Sequence, residues 1–286
     1  MSTLRDIRRR IRSVRSTQQI TKAMEMVAAA KLRKAQARAE RARRYAEKMD
    51  LILANLSRAV QGQTPPHPCF AVRPVRRTTL VLITADRGLC GSFNANLIRR
   101  ANLFLRDYTP ANVELVIIGK RGYNWFRHHA FPIVAQHLDF GGNMDFTRAR
   151  RIATDLEQRF AGEQTDAVFL LGARFKTTAR CEITLTPFLP IAGEPKPGIA
   201  PTDYIFEPAP EAIFSSLTPR YLATVIRTVL AESFASEHAA RMLAMGVATK
   251  SAGEMIDTLT LQYNKARQAA ITRELIDIVG GAEALR

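Results

Sequence analysis

Nearly sixty residues at the start of this chain contain nothing that would stop a helix. Proline is absent from residues 1–63 and Gly62 is the only glycine there, so neither a missing amide donor nor a slack backbone interrupts the segment. A heptad frame fits from end to end. One seam position reads Ile7, Val14, Thr21, Ala28, Ala35, Ala42, Met49 and Leu56, and the other reads Leu4, Ile11, Gln18, Glu25, Leu32, Ala39, Ala46 and Leu53. An apolar stripe this narrow and this long is built to meet another helix. The exceptions, Gln18, Thr21 and Glu25, fall together. Apolar residues at Ile20, Ala23, Met24 and Val27 predict a local phase slip at that point.

The other end of the chain has the same character. After Pro219 no proline occurs before Arg286, and apolar residues recur at Leu222, Val225, Ile226, Val229 and Leu230, then at Ala248, Ala252, Met255, Ile256, Leu259, Tyr263, Ala266 and Ala270. At about 1.5 Å rise per residue each terminal helix spans roughly 80–100 Å, far beyond the ~30 Å of a small domain. Two such helices satisfy their apolar stripes by pairing antiparallel in a long coiled coil, with the rest of the chain as a head at one end. Gly246 and Gly253 cost about 1 kcal/mol each relative to alanine in a helix, and they mark either a bend or a close contact.

Residues 68–215 change period. TTLVLITA (78–85), VELVIIG (113–119) and DAVFLLGA (166–173) are continuous apolar runs, the pattern of strands buried on both faces. Helix-like stretches lie at 93–107, 121–129 and 145–161, so a small parallel α/β sheet of Rossmann-like type is expected. CEITLTPFLPI (181–191) reads as a further strand, and the run from Pro195 to Pro210 reads as a linker into the C-terminal helix. Three segments follow: 1–63 as an N-terminal coiled-coil helix, 68–215 as an α/β domain, and 216–286 as a C-terminal coiled-coil helix.

The net charge of +16 points to an acidic partner. Residues 1–60 hold 16 Lys or Arg against five Asp or Glu, so most of the excess lies on the first helix. Residues 1–13 are Arg-rich, but Asp6 and the unbroken apolar period argue against an organellar presequence. No apolar run is long enough for a membrane span. Cys69, Cys90 and Cys181 are far apart and never spaced as CxxC, which implies neither a disulfide framework nor a zinc site.

The best place to look for chemistry is LITADRGLCGSFNANL (82–97), where a strand leads through a glycine-rich turn into a helix, the setting in which phosphates bind. It has neither GxGxxG nor GxxxxGK[ST], and a tight structural turn is the favoured reading. Cys90 at the head of that helix could be an activated thiol, but a packed cysteine is commoner. His67, His128, His129, His137 and His238 show no HxxxH or HExxH spacing, so no metal site is expected. GKRG (119–122) could hold an anion or be a plain turn. The basic helix could neutralise nucleic-acid phosphates, yet Tyr45 is its one aromatic residue and an apolar seam runs beneath the charges, so a partner-facing surface is favoured. A nucleotide-binding α/β enzyme and a basic coiled-coil adaptor therefore stay open at this level.

Three stretches together carry a resemblance: IRRRIRSVRSTQQITKAMEMVAAAKLRKAQ (7–36), ITADRGLCGSFN (83–94) and LTLQYNKARQAAITRELIDIVGGAEAL (259–285). With them the chain resembles the γ subunits of F-type ATP synthases over essentially its whole length. The resemblance implies a non-catalytic central rotor shaft without cofactor. Its partners would be a ring of α and β subunits, an ε subunit, and a membrane c ring driven by ion flow. It places Lys22 and Met24 at the acidic loop of a β subunit, and Arg267, Gln268, Thr272 and Glu274 at the catch loops of the same ring. It places Tyr204 and Glu207, in DYIFEP, near the c ring and ε. A bacterial origin and a peripheral position at the cytoplasmic face of the plasma membrane are expected. Where the family usually shows AMDxATKNA this chain reads AMGVATKSA (244–252), with Gly246 and Ser251 departing from it, and Ser92 replaces a second glycine in the turn.

Overall fold

The computed structural model describes residues 3–59, 67–143, 145–191 and 210–283. Five helices, five strands and one short 3-10 turn follow one another: α1 (Leu4–Ala59), the turn Pro68–Phe70, β1 (Thr78–Ile83), α2 (Phe93–Leu105), β2 (Val113–Ile118), α3 (Lys120–Phe126), β3 (Ile133–His137), α4 (Phe146–Ala161), β4 (Ala167–Thr177), β5 (Arg180–Leu189) and α5 (Pro210–Glu283). The long helices at both ends are present, and Pro219 lies inside α5. The chain divides into two compact units, Met1–Ala28 with Met242–Arg286, and Ala29–Arg241.

The larger unit is built on one sheet with strand order β3-β2-β1-β4-β5. β1 pairs in parallel with β2 and with β4, and β2 pairs in parallel with β3. β5 runs antiparallel to β4, with Phe175 opposite Cys181, so the sheet is mixed where the sequence predicted a parallel one. The reason is the connection: two residues separate β4 from β5, which permits a hairpin and no crossover. β3 escaped the sequence reading because IVAQH is short, lies at the sheet edge, and alternates between half-buried and exposed positions.

The period of two along β1 divides its side chains between two apolar layers. Val81 and Ile83 face one layer with Val116, Ile118, Val168 and Leu170, closed by Ile152, Leu156 and Phe160 of α4 and by Leu222, Ile226, Leu230 and Phe234 of α5. Leu80 and Leu82 face the other with Leu115, Ile117 and Leu171, closed by Phe93, Leu97, Ala101 and Phe104 of α2 and by Phe126 of α3. Cover on both faces is why these strands read as unbroken apolar runs. Gly172 brings α5 close to the sheet: a Cβ there would lie 2.8 Å from Ser233 Oγ, and that hydroxyl accepts the Ala173 N–H at 3.0 Å. Along the same unit α1 lies on α5 through its predicted seam, with Leu32, Ala35, Ala39, Ala42, Met49 and Leu53 buried. Arg43 pairs with Glu232 at 2.7 Å.

The smaller unit is two helical segments packed antiparallel, and here the expectation of a phase slip fails. Ile20 and Val27 are 56% and 57% exposed, whereas Thr21 keeps its seam place at 9%. The frame continues unshifted, with Gln18 and Glu25 half-buried in it. What admits the polar side chains is the opposite helix. A Cβ at Gly246 would sit 3.5 Å from Glu25 Oε1, and one at Gly253 would sit 3.1 Å from Gln18 Nε2. Between them, Thr249 Oγ1 bonds Thr21 Oγ1 at 2.8 Å. Of the two readings offered for these glycines, close contact is found at Gly253, while the approach at Gly246 is an ordinary van der Waals distance.

Candidate functional site

The turn after β1 is the place where a phosphate-binding loop would stand, and its polar side chains, Asp86 and Asn94, bond within the protein. Asp86 turns its carboxylate toward the ends of the neighbouring strands. Oδ1 accepts the N–H of Lys120 and of Asp139, both at 3.1 Å, and Oδ2 accepts the N–H of Gly141 at 2.7 Å. The carboxylate thus ties the segments that follow β2 and β3 to the turn after β1. Thr84 Oγ1 accepts the Gly122 N–H at 2.9 Å, and Gly119, at φ 95°, leaves no room for a Cβ beside Thr84 O. Asn94 ties the head of α2 back to the strand: its Oδ1 accepts the Ala85 N–H at 3.0 Å and its Nδ2 lies 3.2 Å from Cys90 Sγ. Arg241 of α5 donates to Gly88 O at 3.2 Å while pairing with Glu237 at 2.8 Å.

Cys90 is 1% exposed and burial pushes its thiol up, the reverse of what an activated nucleophile needs. The groove beside it, about 820 Å³, runs between α2 and α3 past Leu89, Leu103 and Trp125, and its lining includes no His, Asp or Glu. GKRG forms the β2–α3 turn, with Lys120 paired to Asp139 at 2.6 Å. Residues able to meet a metal do converge elsewhere. His67, Cys69 and Glu157 bring one ligand atom each within 4.8 Å of one another, a grouping that spacing along the chain hides. The His67 imidazole accepts the Cys69 N–H at 3.3 Å and lies 3.7 Å from Glu157, and burial first, then Glu157, pushes the Cys69 thiol up to about 12.

The helix pair of the smaller unit carries the residues that the resemblance singled out. Lys22 is exposed and pairs with Glu25 at 3.2 Å; Met24 is half-buried. Arg267, Gln268, Thr272 and Glu274 are all exposed along α5. The pairings of Thr21 with Thr249 and of Glu25 with Gly246 fix the antiparallel register, which sets Lys22 beside residue 249. Residue 267 lies eighteen residues further on, about 27 Å along the axis, so the two groups form separate belts. Tyr204 and Glu207 lie outside the described residues.

Among the described residues the same register leaves the end of α5 unaccompanied, since α1 starts at Leu4, which falls opposite residue 267. Beyond that point Ile271, Leu275, Ile276, Ile278 and Val279 are 49–66% exposed. This apolar end was missed in the sequence because helical spacing alone cannot say which rows have a partner. Its signal was present all the same: apolar residues at 271, 275, 276, 278 and 279 outlast the helix opposite.

Comparison with known proteins agrees over the full length. The family model described as ATP synthase matches residues 3–285. The ATP synthase gamma chain of Moorella thermoacetica is 47% identical over 287 residues, and that of Desulfitobacterium hafniense is 45% identical over 285, each with all of both chains covered. Among solved structures, a chain of the Tetrahymena thermophila mitochondrial ATP synthase central stalk and c-ring is 26% identical with a TM-score of 0.62, covering 80% of this chain and 99% of that one. A chain of the Euglena gracilis mitochondrial ATP synthase, in its OSCP, F1 and c-ring assembly, shares the fold at 20% identity with a TM-score of 0.70, over 99% of this chain and 94% of that one. The chain belongs to the ATP synthase family, among its gamma chains.

Proposed function

We propose that this chain is the central rotor shaft of an F-type ATP synthase. It couples ion flow through a membrane c ring to ATP synthesis or hydrolysis in a surrounding α and β ring, with an ε subunit bound near its foot. The observation that carries the reading is the unaccompanied apolar end of α5, continuous with a two-helix shaft whose outer surface is strongly basic. A large apolar surface of this kind needs a partner to cover it, and the ring of α and β subunits supplies one. The basic face of α1 would orient the shaft against acidic partner loops.

The chemistry then resides in the partners, and this chain transmits torque. Lys22 and Met24 form one bearing belt, and Arg267, Gln268, Thr272 and Glu274 form a second. Tyr204 and Glu207 belong to the foot. The division into an N-terminal helix (1–63), an α/β domain (68–215) and a C-terminal helix (216–286) serves the same scheme, as shaft, foot and shaft. Among the described residues no helix is long and apolar enough to cross a membrane; attachment through the c ring at the cytoplasmic face of a bacterial plasma membrane completes the proposal. Purification of the tagged chain from native membranes under mild conditions tests it. Stoichiometric α and β subunits with ATP-driven ion pumping are expected. Recovery without those subunits, together with a salt-sensitive nucleic-acid complex, would overturn it.

A further inference from the structure

Where α1, α4 and α5 meet in the larger unit, four arginines converge on a cavity of about 530 Å³ lined by Arg41, Tyr45, Phe146, Arg150, Arg220 and Arg227, together with Pro219, Ala223 and Thr224 of α5. The lining contains no Asp or Glu. Among the described residues, none of the four guanidinium groups pairs with a carboxylate; the polar contact of Arg41 is to its own helix, at Ala37 O.

Arg227 forms the floor. Its guanidinium is held by aromatic faces, 5.4 Å from the Tyr45 ring and 5.7 Å from the Phe146 ring. Its Nε is buried and finds no hydrogen-bond partner among the described residues. Rings that hold a guanidinium through its face leave the N–H groups at its tip to meet phosphate oxygens. Arg41, Arg150 and Arg220 are exposed at the rim. Thr224 adds no free donor, since its hydroxyl already donates to Arg220 O at 2.8 Å.

Four like charges around one cavity repel unless something neutralises them. We propose that this cavity binds a di- or triphosphate group, with Arg227 at its floor and Arg41, Arg150 and Arg220 closing over it. A di- or triphosphate has the charge and the oxygen count for several guanidinium forks, where a single carboxylate has neither. Because the ligand would touch residues from three helices, its binding would also clamp α1 and α4 to α5.

Two sources present this chemistry: a free oligophosphate, or the paired phosphates of a lipid headgroup. Titration calorimetry on the full chain with sodium pyrophosphate and with tripolyphosphate reads the first. Flotation with phosphatidylcholine vesicles, with and without cardiolipin, reads the second. Saturable one-to-one binding in either arm is expected. It should weaken about tenfold or more in Arg227→Gln, as for loss of a charge-assisted hydrogen-bond pair, and stay unchanged in Arg33→Gln, on α1 but outside the cavity. Near-ultraviolet circular dichroism checks that Arg227→Gln is folded. The double variant Arg150→Gln/Arg220→Gln, altering exposed rim residues, repeats the test without touching the floor. Binding in neither arm, or binding equal in wild type and in all the cavity variants, would overturn the assignment.

Discussion

Replacing Gly246 separates two effects that act at one point of the helix pair. Alanine in place of glycine in a helix interior gains about 1 kcal/mol of intrinsic stability. The new methyl would meet Glu25 at 3.5 Å from Oε1 and 3.6 Å from Cδ. These are ordinary van der Waals contacts, so nothing must move and the gain survives. Gly246→Ala should therefore slow opening of the pair by about fivefold, the equivalent of roughly 1 kcal/mol. Gly246→Asp adds the same methylene but sets a second carboxylate against Glu25, which already holds Lys22 at 3.2 Å. Charges about 4 Å apart in a half-exposed seam repel by between ~1 and ~4 kcal/mol, depending on the effective dielectric. Aspartate should thus lose at least what alanine gains, and more at low salt than at high. Amide hydrogen exchange of residues 242–259, read by peptide mass spectrometry at two ionic strengths, follows both. Lower protection in Gly246→Ala, or equal protection in the two variants at low salt, would refute the account of Glu25 seated over a glycine.

Met24→Lys adds a cation at the proposed bearing, and should impair ATP-driven ion pumping in the reassembled complex more than assembly itself; unchanged pumping would remove Met24 from the bearing. His238 is 2% exposed with its Nε2 3.2 Å from Gly142 O, and burial, aided by Arg241 and Lys31, lowers its pKa to about 4. A histidine whose folded pKa lies below its unfolded value near 6.5 binds its proton more readily unfolded. The chain should therefore lose up to roughly 3 kcal/mol as pH falls from about 6.5 to about 4, and denaturant titrations of His238→Gln should show a flatter pH dependence in that window. Asp86→Asn puts an amide NH₂ toward backbone donors that Asp86 now accepts, and should cost about 2–3 kcal/mol, read as a lower Tm and faster exchange at the Lys120 and Gly141 amides. Thr249→Val leaves Thr21 without its buried partner and should cost about 1 kcal/mol, while a Thr21→Val/Thr249→Val pair should recover part of it in a double-mutant cycle.

The heptad frame of α1 is legible in the sequence except at Gln18, Thr21 and Glu25, where it continues although the pattern predicts a slip. Gln18, Thr21 and Glu25 look like a moved apolar stripe because a single helix shows what its seam contains and not what the seam faces. Gly246, Gly253 and Thr249 hold the answer on the other helix, more than two hundred residues away. β1, β2 and β4 were legible because burial on both faces leaves continuous apolar runs, while the direction of β5 depended on a two-residue connection that hydrophobic pattern does not encode. In the turn after β1 the glycines and Cys90 are the conspicuous residues of the sequence, yet Asp86 organises it, and its three backbone partners come from positions 120, 139 and 141. The arginine cavity is invisible in sequence for the same reason: its members lie between 41 and 227.

The apolar end of α5 bears on how a cell must make this protein. Ile271, Leu275, Ile276, Ile278 and Val279 stand open to water as long as the chain is alone. Exposed apolar clusters are what chaperones and proteases select. Chains produced in excess of their companions would be recognised by this end and removed, and their half-life would track the supply of the subunits proposed to cover it. Synthesis in fixed proportion, for instance from a shared transcript, is the arrangement this one stretch of helix favours.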